Sequence, residues 1–145
     1  MLNISHYKII AIGKIRKKWI QEGIEMYLKR LPSLEVIEIK DNSQAKEEHT
    51  IKEIISKNEF LVTLNENGQS FTSKQLATKL LNSHNQNIIF VIGGPSGLPP
   101  SLNNRASWQL SLSPLTFPHE IARLLLVEQL YRAKTIIQGA PYHKE

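Results

Sequence analysis

The chain has 145 residues, 41% apolar and 21% charged, which is enough for one domain with a real core and typical of an ordinary globule. It has no cysteine, which excludes disulfides, thiolate metal sites and cysteine nucleophiles. A net charge of +5 and a pI of about 9.5 favour a polyanionic partner without requiring one. Near the N-terminus the apolar run Ile9–Ile12 is too short for a signal peptide or a membrane span, so a cytoplasmic protein with no membrane partner is expected.

Tyr7–Gly13 is β-branched and ends at glycine, so it reads as a buried strand. Lys17–Leu31 places Ile20, Ile24, Tyr27, Leu28 and Leu31 on one helical face, and Pro32 closes that helix. Leu34–Ile39 alternates apolar residues with Glu35 and Glu38 as a strand does. Ala45–Asn58 sets Ile51, Ile54 and Ile55 on one side of a short helix, and Phe60–Leu64 is a third strand. Asn67-Gly68 signals a turn, and Thr72 with Gln75 forms a capping-box pattern ahead of Leu76, Leu80 and Leu81. Ile88–Ile92 is a wholly apolar strand. A short strand near Trp108–Leu112 and a long helix from Pro118 to Ile137 complete the chain. Asn42–Lys46 and Leu98–Arg105 read as mobile loops. This alternation predicts an α/β fold, a mostly parallel sheet flanked by helices, in a single domain spanning 1–145.

Two strand-to-loop crossings stand out. Gly93-Gly94-Pro95-Ser96-Gly97 follows one strand, and Leu112–Phe117 follows the next. In an open parallel sheet, loops at the strand ends bind the ligand. The first loop is not a dinucleotide Gly-x-Gly-x-x-Gly, has no phosphate-loop Gly-Lys-Ser/Thr, and puts Pro95 where a nucleophile elbow needs glycine. Nor do His119 and Glu120 start a zinc motif, because Arg123 stands where the second histidine belongs, so no metal is expected. What remains is a ligand read by main-chain groups, with adjacent glycines permitting close approach.

Ile92–Leu98 (IGGPSGL), Leu112–His119 (LSPLTFPH), Glu128–Ala133 (EQLYRA) and Tyr142–Lys144 (YHK) occur in an order and at distances that resemble the ribosomal RNA large subunit methyltransferase H family, of the SPOUT class. The resemblance covers the whole length. It implies a deep trefoil knot in the C-terminal part, about 86–145, which topology rules alone would not suggest. It also implies a homodimer that transfers a methyl group from S-adenosyl-L-methionine to N3 of a pseudouridine in 23S ribosomal RNA, on the assembled ribosome. The implied cofactor positions are Leu64, Gly93 and Leu112-Ser113-Pro114-Leu115-Thr116-Phe117. Many members carry Glu where this chain has Ser96, and many end in Arg where it has Lys144, a cation without the bidentate fork.

The residues suit that chemistry. Methylation at nitrogen needs alignment and proton removal but no thiolate adduct, in keeping with the absence of cysteine. Leu64, Leu112, Leu115 and Thr116 fit an adenine slot or plain core packing. The candidate catalytic groups are His119 at the start of the last helix and Tyr142 and His143 on the tail, with the general base left open. Lys14, Arg16, Lys17 and Lys18 form the densest basic run. With Arg132 and Lys144 they are the candidate RNA contacts, Arg132 alternatively meeting the cofactor's carboxylate. The last helix is apolar nearly all round, which points to burial against a second copy. The tail is expected to complete the site and not to support the fold. A non-catalytic RNA- or ribosome-binding protein of the same fold is the rival reading, and a dinucleotide-dependent enzyme a weaker one.

Overall fold

The computed structural model describes residues 2–83 and 86–144. Its elements are β1 (Tyr7–Ile12), α1 (Lys18–Lys29), β2 (Glu35–Ile39), α2 (Gln44–Ile54), β3 (Glu59–Ser70), α3 (Ser73–Asn82), β4 (Asn87–Ile92), α4 (Pro100–Arg105), β5 (Trp108–Ser111) and α5 (His119–Gln138). The five strands form one parallel sheet in the order β2-β1-β4-β3-β5. Each strand therefore needs a crossover, and the helices supply it.

Strand periodicity sorts the apolar residues onto two faces. Ile9, Ala11, Val62, Ile88 and Phe90 meet α1, α3 and α5 in the larger core. Ile10, Ile12, Leu61, Ile89 and Val91 meet Ile51 of α2 and Leu102 of α4 in the smaller one. Each fully buried isoleucine contributes roughly 1.5–3 kcal/mol from this burial. Between α1 and α5 the contact is close at Gly23, where an added Cβ would lie 3.2 Å from the Leu124 side chain. The helix caps follow the sequence: Ser43 Oγ accepts from Lys46 N at the start of α2, and Thr72 and Gln75 form the reciprocal capping box of α3. α5 ends at Gly139, whose φ of 72° is the left-handed conformation that stops a helix.

Three local expectations are corrected. Asn67-Gly68 does not end the third strand. Leu64 and Gln69 both stand opposite Leu110, so Asn65–Gly68 bulges out and β3 continues to Ser70. Gly68 is required there, since a Cβ would lie 2.6 Å from the Gln109 carbonyl oxygen. The segment Leu98–Arg105 is not a loop throughout, because Pro100–Arg105 forms α4 and buries Leu102. Asn42–Lys46 is not a loop throughout either. α2 starts at Gln44, and the buried Glu47 carboxylate accepts from Asn42 N at 2.8 Å.

Candidate active site

At the C-terminal ends of β4 and β5, beside the bulge of β3, the loops enclose a cleft of about 410 Å³. The first wall is the glycine loop after β4. Gly97 N donates to Gly94 O at 2.9 Å, and Gly97 has a φ of 75°. A Cβ on Gly93 would lie 2.8 Å from Gly97 C, and one on Gly94 would lie 2.9 Å from Ile12 Cγ2. Gly93 is thus demanded by the loop's own packing and Gly94 by its contact with β1, beyond any approach of a ligand.

The second wall is the connection from β5 to α5. Of the anticipated cofactor positions, Leu64, Gly93, Leu112, Ser113, Leu115, Thr116 and Phe117 all line the cleft, and so does His119. Pro114 does not line it. Leu115 is 71% exposed, unlike a core leucine. Ser113 Oγ accepts from Leu115 N at 3.1 Å, which turns the chain around the rim.

Sequence reasoning missed several lining residues: Asn65 and Glu66 on the β3 bulge, Asn103 on α4 and Ala122 on α5. Thr116 Oγ1 donates to the Glu66 carboxylate, linking the two rims. Asn65 Nδ2 donates to Gln109 Oε1 at 2.7 Å, and Gln109 Nε2 donates to the Asn103 carbonyl at 3.2 Å. Asn103 Oδ1 is buried at the cleft with no hydrogen-bond partner. Such an atom costs free energy unless a ligand meets it.

The first turn of α5 also organises what lies behind the cleft. Glu120, 8% exposed, accepts from Arg16 N at 2.9 Å and Lys17 N at 3.1 Å. The Lys17 and Arg16 N–H donors hold its carboxyl below the usual glutamate range. Arg123 is buried, donates Nη2 to Gly13 O at 2.9 Å and pairs with Glu38. The basic run is therefore fastened by its backbone to the helical turn carrying His119, while Lys14, Arg16, Lys17 and Lys18 are exposed.

The tail lies elsewhere. From His119 to Glu128 along α5 is about 13 Å at 1.5 Å per residue. Around Glu128, Tyr142 donates to Oε2 at 2.9 Å and receives from the Tyr27 hydroxyl at 3.1 Å. Arg132 grips the same carboxylate through Nε and Nη2 and donates Nη1 to His143 Nδ1 at 3.0 Å. Its guanidinium carbon lies 4.8 Å from the centroid of the Tyr142 ring. Burial, then the Tyr27 and Glu128 bonds, pushes the Tyr142 phenol well above 10.0. The Glu128 bond raises Arg132. Pro141–Lys144 contributes nothing to the cleft lining, and Lys144 is exposed. A tail expected to be dispensable for the fold is instead bonded to α1 and α5, and Arg132 is committed within the chain.

Comparison with known proteins decides the family. A family model described as "Predicted SPOUT methyltransferase" matches residues 5–143. The chain belongs to the SPOUT methyltransferase family. It is 91% identical over 145 residues, all of both chains, to the ribosomal RNA large subunit methyltransferase H of Prochlorococcus marinus (strain NATL1A). To the protein of that name from Parasynechococcus marenigrum (strain WH8102) it is 52% identical over 143 residues, 99% of each. A probable methylase family protein from Haemophilus influenzae Rd KW20 shares the fold. Its TM-score is 0.65 at 12% identity, and the match covers 99% of this chain and 72% of that one. SPOUT methyltransferases use S-adenosylmethionine, so this SPOUT chain is an enzyme that takes that cofactor. The donor set suits it: apolar walls at Leu64 and Leu112, loop backbone at Gly93–Gly97 and the unpartnered Asn103 Oδ1 match a ligand with a flat heterocycle and hydroxyls and no phosphate. No helix among the described residues is long and apolar enough to cross a membrane.

Proposed function

We propose that the chain methylates N3 of pseudouridine 1915 in 23S ribosomal RNA, on the assembled ribosome, in the cytoplasm and as a homodimer. The cleft carries this reading: it joins a cofactor-sized recess to a titratable side chain, His119, at the end of the sheet where a parallel α/β protein binds its ligand. The names of the 91% and 52% identical relatives supply the RNA class.

S-adenosylmethionine, when bound, supplies an electrophilic methyl on a sulfonium. The chain's own residues hold and align. Leu64, Gly93, Leu112, Ser113, Leu115, Thr116 and Phe117 would seat the cofactor, and Asn103 Oδ1 would accept from one of its donors. As the ring nitrogen gains the methyl it loses its proton, which leaves to a base. His119, which lines the cleft, is one candidate for this base, with Tyr142 and His143 of the tail as the others. Lys14, Arg16, Lys17, Lys18 and Lys144 offer exposed cations to the RNA backbone.

The homodimer reading rests on different residues than expected. Leu126, Val127 and Leu130, part of the surplus apolar face assigned to α5, are already buried within the chain, although Leu125 joins neither core. Among the described residues, the large apolar side chains left exposed are Trp19 at 60% and Met26 at 44% on the outer face of α1, with Leu115. Covering such side chains contributes roughly 1.5–3 kcal/mol each. A two-fold pair that carries one copy's tail to its partner's cleft also reunites His119 with Tyr142 and His143, which a single chain keeps apart. The knot belongs to the same reading and rests on the family match over residues 5–143.

Mass spectrometry of large-subunit RNA from cells with and without the protein is the test. The methyl group should vanish with the gene and return with it. An unchanged nucleotide sinks the reading. Light scattering should give twice the 16.6 kDa chain mass at micromolar concentration, and a monomer removes the dimer.

A further inference from the structure

A second recess opens across the β3 bulge from the cleft. Its volume is about 620 Å³, and it is lined by Gln69, Ser70 and Phe71 at the end of β3 and by Lys74, Thr78 and Lys79 among the α3 residues. The Phe71 ring meets Trp108 edge-on at 5.7 Å, and Lys79 Nζ stands 4.9 Å from the Trp108 centroid and 5.7 Å from that of Phe71. The recess is continuous in chain with the cofactor cleft. Asn65 and Glu66 line the cleft and Gln69 lines the recess, three residues on, at most about 10–11 Å of extended backbone.

We propose that this recess is an RNA subsite, seating an unpaired nucleotide that flanks the target base. The inference rests on the reading of the chain as an RNA methyltransferase. Single-stranded RNA is held by a stacking surface for the base and cations for the phosphates, and it exposes hydroxyls and base edges to amides and hydroxyls. Phe71 supplies the ring, Lys74 and Lys79 the charge, and Gln69, Ser70 and Thr78 the polar contacts. The placement suits an RNA strand crossing the bulge, with the target base in the cleft and its neighbour in the recess. It also gives a small domain a second point of grip beside the one that performs chemistry. Edge protection is the competing role for the lysine–aromatic cluster, because β5 ends the sheet.

Two variants separate these roles. The double substitution Lys74→Gln with Lys79→Gln removes the charge, and Thr78→Trp fills the recess from an exposed helical position. Fluorescence anisotropy with a labelled single-stranded RNA spanning the target should show each weakening binding about tenfold, the scale of one lost stacking or phosphate grip. With ribosomes as substrate, KM should rise by the same factor while kcat changes less than about twofold. The lysine variant should flatten the dependence of log affinity on log salt by about 1.4, two single-strand phosphates at roughly 0.7 each. Folded variants that bind RNA and ribosomes as the parent does overturn the subsite. Aggregation with unaltered KM assigns the cluster to edge protection instead and overturns it equally. If the parent chain binds the RNA through the recess yet neither binds S-adenosylmethionine nor methylates, the enzyme reading fails while the subsite stands.

Discussion

The two ends of α5 differ in what they leave open to a ligand. In its first turns Glu120 and Arg123 bond to the chain behind the cleft, while Pro118 gives no side-chain cap, His119 lines the cleft, and Asn103 Oδ1 of α4 beside it has no partner. Past its middle, Glu128, Arg132, Tyr142, Tyr27 and His143 bond to one another, and Gln129 ties the Glu128 carboxylate to Ser73 of α3. A group left unpaired in a recess is held ready for a ligand, whereas a group paired within the chain fixes geometry. One helix thus separates a receptive end from a self-contained one, and a functional role for the second depends on its bonds being exchanged when RNA or a second copy arrives.

The comparison is broken most completely by Gly93→Val. The added branch collides with Gly97 and Leu98 backbone atoms under 3 Å away, so the loop must move. Calorimetry should find S-adenosylmethionine affinity reduced by on the order of a hundredfold or more, about 3 kcal/mol, the upper range of overpacking. Unaltered affinity removes the glycine loop from the cofactor site.

Deleting Tyr142–Glu145 attacks the other end. Methyl transfer to ribosomes should fall on the order of a hundredfold, the scale of a lost acid–base group, with cofactor affinity intact. Because two phenol hydrogen bonds and a stacked ring go with it, the melting temperature should also drop by roughly 5 °C. A normal rate with a lowered melting point makes the tail structural only.

Arg123→Met tests the brace behind the receptive end. Gly13 O loses its buried donor and Glu38 its partner, so urea unfolding should show a loss of about 1–3 kcal/mol. The smallest effect is a matter of pH. Glu120 titrates lower folded than unfolded, so its contribution is complete above the ordinary glutamate value of 4.5 and fades as pH falls through the folded value. Denaturation midpoints of Glu120→Gln should therefore decline less on acidification below about 4.5 than those of the parent; parallel curves exclude the carboxylate as a clamp.

Strands and helices whose apolar period is long were legible in the sequence, and so was the Thr72–Gln75 box, because the causes are local. α4 was not, since six residues beginning at Pro100 carry too short a pattern to register. The β3 bulge read as a turn because Asn67-Gly68 has turn chemistry. What keeps the strand going is the Gln109 carbonyl, a tertiary neighbour. For the cleft, the two loop segments were visible from their glycines, serine and prolines. Asn65, Glu66 and Asn103 were invisible because ordinary polar residues acquire meaning only when the sheet order places them beside β5. Glu120 and Arg123 sat inside an apparent motif that failed. Their actual partners, Arg16, Lys17, Gly13 and Glu38, lie 85 to 110 positions away.

The sheet order also carries a cost during synthesis. β4 is the central strand, yet it leaves the ribosome after β1 and β3, the two neighbours it must join. At about 5–20 residues per second, the nascent chain spends seconds with two apolar strand edges open and nothing between them. Aggregation during expression should therefore depend on how fast the ribosome travels from α3 through β4, and synonymous slow codons placed there should lower the yield of folded enzyme without changing a single residue.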